Sequence, residues 1–315
     1  ALINQGKTNR EVATVLNRAH STVSRELKRC KTKFEYSPSK AHKHARGKDP
    51  ERGRRKIFDI QPELLLKVYD QLIQHLSPEQ ISQKLKKEHA DEPVKWISHE
   101  SIYKYIYAFP RGELRKIFTS FLRSKRRLRR DRSHIHAKRG QIPDALSISE
   151  RPSEVDNREV PGHWEGDLII GKNHKSALGT LVERTTRLVI LVPIKGRDAK
   201  SVRESFVDIF QEIDPQMRKS MTYDRGLEMA EHKILTEETG VQVYFADPRS
   251  PWQRGTNENT NGLLRQYFPK KTDFSKVSIE EIKFAQNQLN DRPRKVLNWE
   301  SPKEAFKKLI GALES

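Results

Sequence analysis

The stretch His163-Trp-Glu-Gly-Asp-Leu-Ile-Ile-Gly171 alternates as a strand does, and the fold is read outward from it. A period of two puts Glu165, Asp167 and Ile169 on one face, with Trp164, Leu168 and Ile170 turned toward a core. Two further strand-like runs, Ser176–Glu183 and Leu188–Ile194, follow across short turn signals and suggest an antiparallel meander. Beyond them come an amphipathic helix over Ala199–Ile213, a short strand over Lys219–Tyr223, a helix over Glu228–Thr239 and a fifth strand over Val241–Phe245. A three-strand meander followed by alternating helix and strand is the ribonuclease-H-like α/β layout, here with a mixed five-stranded sheet.

Three acids stand in three different settings on that layout. Asp167 is on the first strand, Asp224 follows the fourth in Met221-Thr-Tyr-Asp-Arg-Gly226, and Glu258 lies in a helical stretch of Ser250-Pro-Trp-Gln-Arg-Gly-Thr-Asn-Glu-Asn-Thr-Asn-Gly-Leu-Leu-Arg265. Such carboxylates can converge on one point, where hard oxygen ligands suit magnesium and phosphoryl chemistry. Glu258, Asn261, Gly262 and Arg265 are spaced i, i+3, i+4, i+7 and share a helix face. That face would carry a metal ligand and, further along, a cation to hold a phosphate. A plain surface Glu–Arg helix is the alternative, but Thr256-Asn-Glu-Asn-Thr-Asn-Gly262 contains too many poor helix formers for mere scaffold. Glu165 is a second carboxylate close to Asp167. Trp252, Arg254 and Asn257 are candidate DNA contacts near the cut, with packing an equal reading for Trp252.

The 315 residues carry a net charge of +19, distributed unevenly. Residues 1–160 hold 36 Lys and Arg against 20 Asp and Glu, net +16, while residues 161–315 hold 25 against 22, net +3. This reads as a polyanion-binding part joined to a different machine. Cys30 is the single cysteine, which excludes an intrachain disulfide and Cys-based zinc sites within one chain and points to a reducing, cytoplasmic location. No apolar run approaches a membrane span. The chain begins without Met inside an apolar pattern, as though residues were missing upstream.

In the basic part, Thr8-Asn-Arg-Glu11 is a capping box that opens a helix with Val12, Val15 and Leu16 on its apolar side. Asn17 suits a tight turn, and Ser21 would cap a second helix, Ser21–Arg29, with Val23 and Leu27 inward. Ser21, Thr22, Ser24, Arg25 and Lys28 would then face the DNA major groove, as in a helix-turn-helix. An ordinary helical hairpin is the other reading. The pattern repeats: Ser77-Pro-Glu-Gln80 opens a helix through Ile81 and Leu85, and Ser98 caps His99–Tyr107 with Ile102 and Ile106 inward. Ser98, His99, Ser101 and Lys104 are its candidate DNA contacts, and Tyr103 and Tyr107 suit phosphates or the core. Lys40–Lys56 reads as a solvated linker and Gln141–Pro161 as an extended connector. The run from Arg123 to Arg139, with Arg126, Arg127, Arg129 and Arg130 at its centre, holds nine Lys and Arg against Asp131 and would track a DNA backbone. The expected domains are 1–56, 57–122, a basic linker over 123–160, and a core over 161–315.

Residues 163–171, 250–270 and Asn290-Asp-Arg-Pro-Arg-Lys-Val-Leu297 resemble the insertion-sequence-thirty family of bacterial DDE transposases, and the similarity runs through nearly the whole chain. The resemblance implies a catalytic triad of Asp167, Asp224 and Glu258, with 33 residues between the last two, an integrase-type core, and helix-turn-helix units that bind element ends. It implies terminal-repeat cleavage and joining with two magnesium ions, manganese substituting, by a homo-multimer on double-stranded DNA. Two departures are visible: the helix expected before Thr8 is mostly missing, and Lys271 stands where glycine is expected. A non-catalytic DNA-binding regulator is the rival reading; the helix-turn-helix units fit it, the three acids do not.

Overall fold

The computed structural model describes residues 2–3, 5–30, 36–47, 57–108, 112–123, 142–248 and 250–313, in two compact units, Ala1–Glu63 and Leu64–Ser315. In the smaller unit, α1 (Asn9–Val15) opens on the Thr8–Glu11 capping box. The chain turns at Asn17, whose φ of 48° is left-handed, into α2 (His20–Leu27). Val12, Ala13, Val23 and Leu27 form the small core, with Leu2, Ile3 and Tyr36 against it. Two expectations change here. Val15 and Leu16 are 57% and 54% exposed, because Ala13 rather than Val15 completes the buried stripe. Ser21 does not cap α2, which starts at His20 behind Ala19; instead the Ser21 carbonyl and hydroxyl accept from Arg25 at 3.2 and 3.5 Å. Ser21, Thr22, Arg25 and Lys28 are exposed and Ser24 half-buried. Part of the expected linker is helical, as α3 (Pro38–Gly47).

α4 (Pro62–Ile73) leads into the larger unit, followed by α5 (Pro78–Glu88), α6 (His99–Ala108) and α7 (Glu113–Phe121). Ser77 and Gln80 cap α5 reciprocally, and Ser98 Oγ accepts from Ser101 N at 3.1 Å at the start of α6. Ile81, Leu85, Ile102 and Ile106 are fully buried between them. Ser98, His99 and Lys104 are exposed, with Ser101 half-buried. These helices are fastened to the C-terminal part: Gln80 Nε2 donates to Pro293 O at 2.8 Å, while Lys87 pairs with Glu304 and Lys295 with Glu79, each at 3.1 Å. The helix pair α5–α6 therefore shares a compact unit with the core.

The sheet runs in the order β3-β2-β1-β4-β5, from β1 (His163–Ile170), β2 (Ala177–Glu183), β3 (Val189–Ile194), β4 (Ser220–Tyr223) and β5 (Gln242–Phe245). β1–β2 and β2–β3 are antiparallel, with Asp167 opposite Thr180, whereas β1–β4 and β4–β5 are parallel. α8 (Ala199–Glu212) and α9 (His232–Thr239) cover one face, packing Val202, Phe206, Phe210 and Leu235 with Trp164, Leu168 and Met221. The other face is covered by α10 (Gly255–Leu264) and α11 (Ile279–Asn290), whose Leu263, Leu264, Ile282 and Leu289 meet Ile169, Leu178 and Val189. Each such side chain contributes about 1.5–3 kcal/mol on burial. α12 (Pro302–Leu313) ends the chain as described. The helix expected from Glu228 begins at His232, after a 3₁₀ turn over Leu227–Met229. Within the connector before β1, Ser147 bridges to Phe245, and Glu154–Asn157 is a short helix. Lys271 takes the glycine-favoured conformation, φ 74°.

Candidate active site

α10 is held on β1 by a buried polar arrangement. Glu165 is fully buried and paired with buried Arg184 at 2.7 Å, and its second oxygen accepts from the backbone N–H of Asn257 at 2.9 Å. A strand carboxylate thus satisfies one of the donors that the first turn of α10 leaves open, in place of a side-chain cap of its own. Asn257, 0% exposed, donates to Glu165 O at 3.1 Å and accepts from Thr180 Oγ1 at 3.0 Å. This corrects two expectations. Asn257 is buried with its backbone N–H and side chain engaged by the sheet rather than turned to DNA, and Glu165 is occupied rather than a spare ligand.

One step along β1 the arrangement opens. Asp167 accepts from Asn261 Nδ2 at 2.8 Å. The Arg254 guanidinium lies between Asp167 and Asp224, 3.4 Å from an oxygen of each, and donates to Gly166 O at 3.0 Å. The fold therefore brings together two of the three expected acids. Gly166 is needed at this point, since a Cβ there would lie 2.7 Å from the Tyr223 ring. Glu258 is exposed on α10, one turn before Asn261. Among the described residues no group of three acidic, His or Cys side chains is close enough to hold a metal ion. In this structure two of the three expected acids, Asp167 and Asp224, share the Arg254 guanidinium, and Glu258 is exposed rather than gathered with them.

A family model described as an integrase core domain matches residues 157–251, and one described as a helix-turn-helix domain matches residues 1–30. The transposase for insertion sequence element IS1086 of Cupriavidus metallidurans is 46% identical over 96% of this chain and 89% of its own length. The chain belongs to the insertion-sequence-thirty family of DDE transposases. The transposase InsI for IS30A of Escherichia coli is 42% identical over 95% of this chain and 78% of its own, and that for IS4351 of Bacteroides fragilis 36% identical over 96% and 91%. The solved catalytic core of BIV integrase overlaps 49% of this chain and 99% of its own at 18% identity, with a TM-score of 0.38.

In this DDE transposase the electrostatics of the acid pair follow from its setting. Burial pushes the Asp167 carboxyl above the usual range and the Asp224 charge adds to this, while Arg254 pulls it down. Glu228 is raised too, by burial first and then by the charges of Asp224 and Asp167. It is a further carboxylate facing the pair, and the sequence signal for it was its place four residues after Asp224. Hard oxygens concentrated at one partly exposed point, with a guanidinium between them, are a donor set that fits a divalent cation.

The remaining candidates divide. Trp252 is 72% exposed, which removes packing as its role. Arg265, expected to position a phosphate, here donates to Ile170 O at 3.2 Å and to Pro269 O at 3.4 Å, tying the end of α10 to the end of β1. Arg126, Arg127, Arg129 and Arg130 lie outside the described residues. Arg123, at the head of their run, donates to Asn259 of α10 at 2.7 Å. Among the described residues no helix is long and apolar enough to cross a membrane.

Proposed function

We propose that this transposase binds the terminal inverted repeats of its element, hydrolyses a phosphodiester to free a 3′-hydroxyl, and uses that hydroxyl to attack a second DNA site. The observation that carries the reading is Asp167 and Asp224 sharing one cation-sized position, 3.4 Å on either side of the Arg254 guanidinium. Divalent ions, magnesium with manganese as substitute, would be held there by Asp167, Asp224 and Glu258 and would supply charge to activate the attacking oxygen and steady the leaving one. Glu258 joins by a rotamer change, since helix residues three apart are neighbours and Asn261 already touches Asp167.

The chain's own residues do the rest. Asn261 holds one oxygen of Asp167 so that the other faces the Arg254 guanidinium. Glu165, Asn257 and Arg265 fix α10, so that Glu258 swings from a rigid base. Arg254 neutralises the acid pair in the resting protein and, once displaced, turns its charge to DNA beside exposed Trp252. α2 and α6 present Ser21, Thr22, Ser24, Arg25 and Lys28, and Ser98, His99, Ser101 and Lys104, to the grooves of the repeats. Joining two ends calls for a homo-multimer, and the work is done in the cytoplasm.

The test is Asp224→Asn, assayed for magnesium-dependent cleavage and strand transfer on DNA carrying the element's own ends. The charge that holds the metal disappears, worth several kcal/mol or about a 10³-fold loss of rate, while repeat binding stays intact. Full recombination by the variant would refute the mechanism and favour the regulator. Loss of DNA binding would make Asp224 structural.

A further inference from the structure

The motif Asn290–Leu297 has no part in the acid site, yet it brings two arginines to the end of α11. Arg292 is 2% exposed, with its guanidinium donating to Gln266 Oε1 at 3.2 Å and Tyr267 Oη at 2.7 Å. Arg294 donates to Leu289 O at 3.3 Å. The Nε atoms of both are buried without a hydrogen-bond partner among the described residues. Arg123 and Arg187 approach from other elements, the first bonded to Asn259 of α10 and the second to Thr256 of α10 at 2.6 Å. Among the described residues none of the four has a carboxylate within ion-pair distance.

Their charges oppose one another. Burial and then Arg292, Arg123 and Arg187 push Arg294 down to about 10, and burial does the same to Arg187 with help from Arg158. Buried charge without an ion-pair partner is unfavourable; Glu165 and Glu183 offset part of it at Arg187, whereas at Arg294 only the Tyr267 hydroxyl does. Guanidinium forks that keep free donors are also suited to phosphate oxygens. The cluster runs along the flank of α10, the helix that carries Glu258. Exposed Gly262 leaves the intervening surface open: a Cβ built there would meet only Arg123, at 3.7 Å.

We propose that Arg123, Arg187, Arg292 and Arg294 form an anion site that grips a backbone phosphate of the DNA strand lying along α10, away from the scissile bond. This rests on the transposase reading of the same helix. Free phosphate shares the chemistry, so the test separates the two sources and is run without metal, where failure of catalysis has no influence.

The full chain and Arg294→Gln are compared for melting temperature, with and without inorganic phosphate, and for affinity to an element-end duplex across a salt series. The duplex is also scanned with single uncharged methylphosphonate linkages. Expected is a variant that melts no lower than the parent, since an uncompensated charge is gone, yet binds the duplex about tenfold more weakly. Its plot of log affinity against log salt should be shallower by about 0.9 for the one lost phosphate. One methylphosphonate position should weaken the parent and leave the variant unchanged. Arg294→Lys, which keeps the charge, should recover most of the slope. Arg292 bonds Gln266 and Tyr267 and could fail to fold when changed, so the decision rests on Arg294. A variant that melts lower with unchanged affinity and slope would overturn the proposal in favour of packing. Phosphate that raises the parent's melting temperature while the DNA slope is unaltered would assign the site to free phosphate and overturn the DNA source. If the parent fails to bind end DNA at all, the transposase reading fails, and absence of any stabilisation by phosphate then overturns the anion site as well.

Discussion

Glu165 and Asp167 stand two residues apart on the same face of β1, and α10 touches both, yet the two ends of this contact are built on opposite lines. Around Glu165 every oxygen is occupied: Arg184 at 2.7 Å, the Asn257 amide at 2.9 Å, and no solvent. Around Asp167 one oxygen is held by Asn261 and the other faces a guanidinium at 3.4 Å, with a quarter of the side chain, 26%, still exposed. A carboxylate saturated by protein donors serves as a fastener. One left partly unsaturated beside a second acid keeps its charge available. Rigidity and reactivity are thus separated by a single pleat, and the fastened end gives the open end its geometry.

The largest expected stability effect tests the fastened end. Glu165→Gln leaves Arg184 buried without its counter-charge and should cost about 3–5 kcal/mol. Urea denaturation of the full chain would record it as a lower midpoint, with cleavage lost because α10 is no longer seated. Asp167→Asn should shift the same midpoint by no more than about 1 kcal/mol, since its Arg254 contact is long, at 3.4 Å, and a quarter of the carboxylate side chain is exposed, while abolishing cleavage. Equal losses of stability in the two variants would erase the distinction.

A smaller effect sharpens it within α10. Asn257→Ala removes the donor to Glu165 O and one of the two acceptors of Thr180, whose hydroxyl keeps Asp167 O at 3.2 Å, and should cost about 2 kcal/mol. Trp252→Ala, at an exposed position, should stay within about 0.5 kcal/mol but weaken binding of end DNA, read by fluorescence anisotropy. Should Asn257→Ala keep parental stability and lose DNA affinity instead, Asn257 belongs to the DNA surface after all.

What could be read beforehand, and what could not, follows the range of the interactions. Alternation in β1 separated Trp164 and Leu168 from the face of Ile169, and the Thr8 and Ser77 capping boxes announced their helices, because each of these is decided within a few residues. Ser21 misled because α2 starts one residue earlier, at His20, so that its oxygens serve Arg25. Asn257 and Arg265 looked solvent-facing on a helix of polar residues, yet their partners on β1 lie 92 and 95 positions away. Arg254 was legible as a cation near the cut. That it would lie between the two acids depends on β4 running parallel to β1, which local pattern does not carry.

The smallest expected effect concerns the open end itself. If the Arg254 guanidinium stands where a divalent ion belongs, protein and metal compete for the same two carboxylates, and removing the arginine should favour the ion. Arg254→Gln keeps a donor for Gly166 O while discarding the positive charge 3.4 Å from Asp167 and Asp224. At an effective dielectric near 20, one charge at this range interacts by a few kcal/mol before solvent screening, so a gain of about tenfold in manganese affinity is expected. Electron paramagnetic resonance of free manganese during titration of the full chain measures it directly, independent of any turnover. DNA binding should weaken only slightly under the proposal that α2, α6 and the basic run make most of the phosphate contacts. Unchanged or weaker manganese binding would mean that Arg254 assists the metal rather than excludes it, and the open end of β1 would then be as permanently partnered as the closed one.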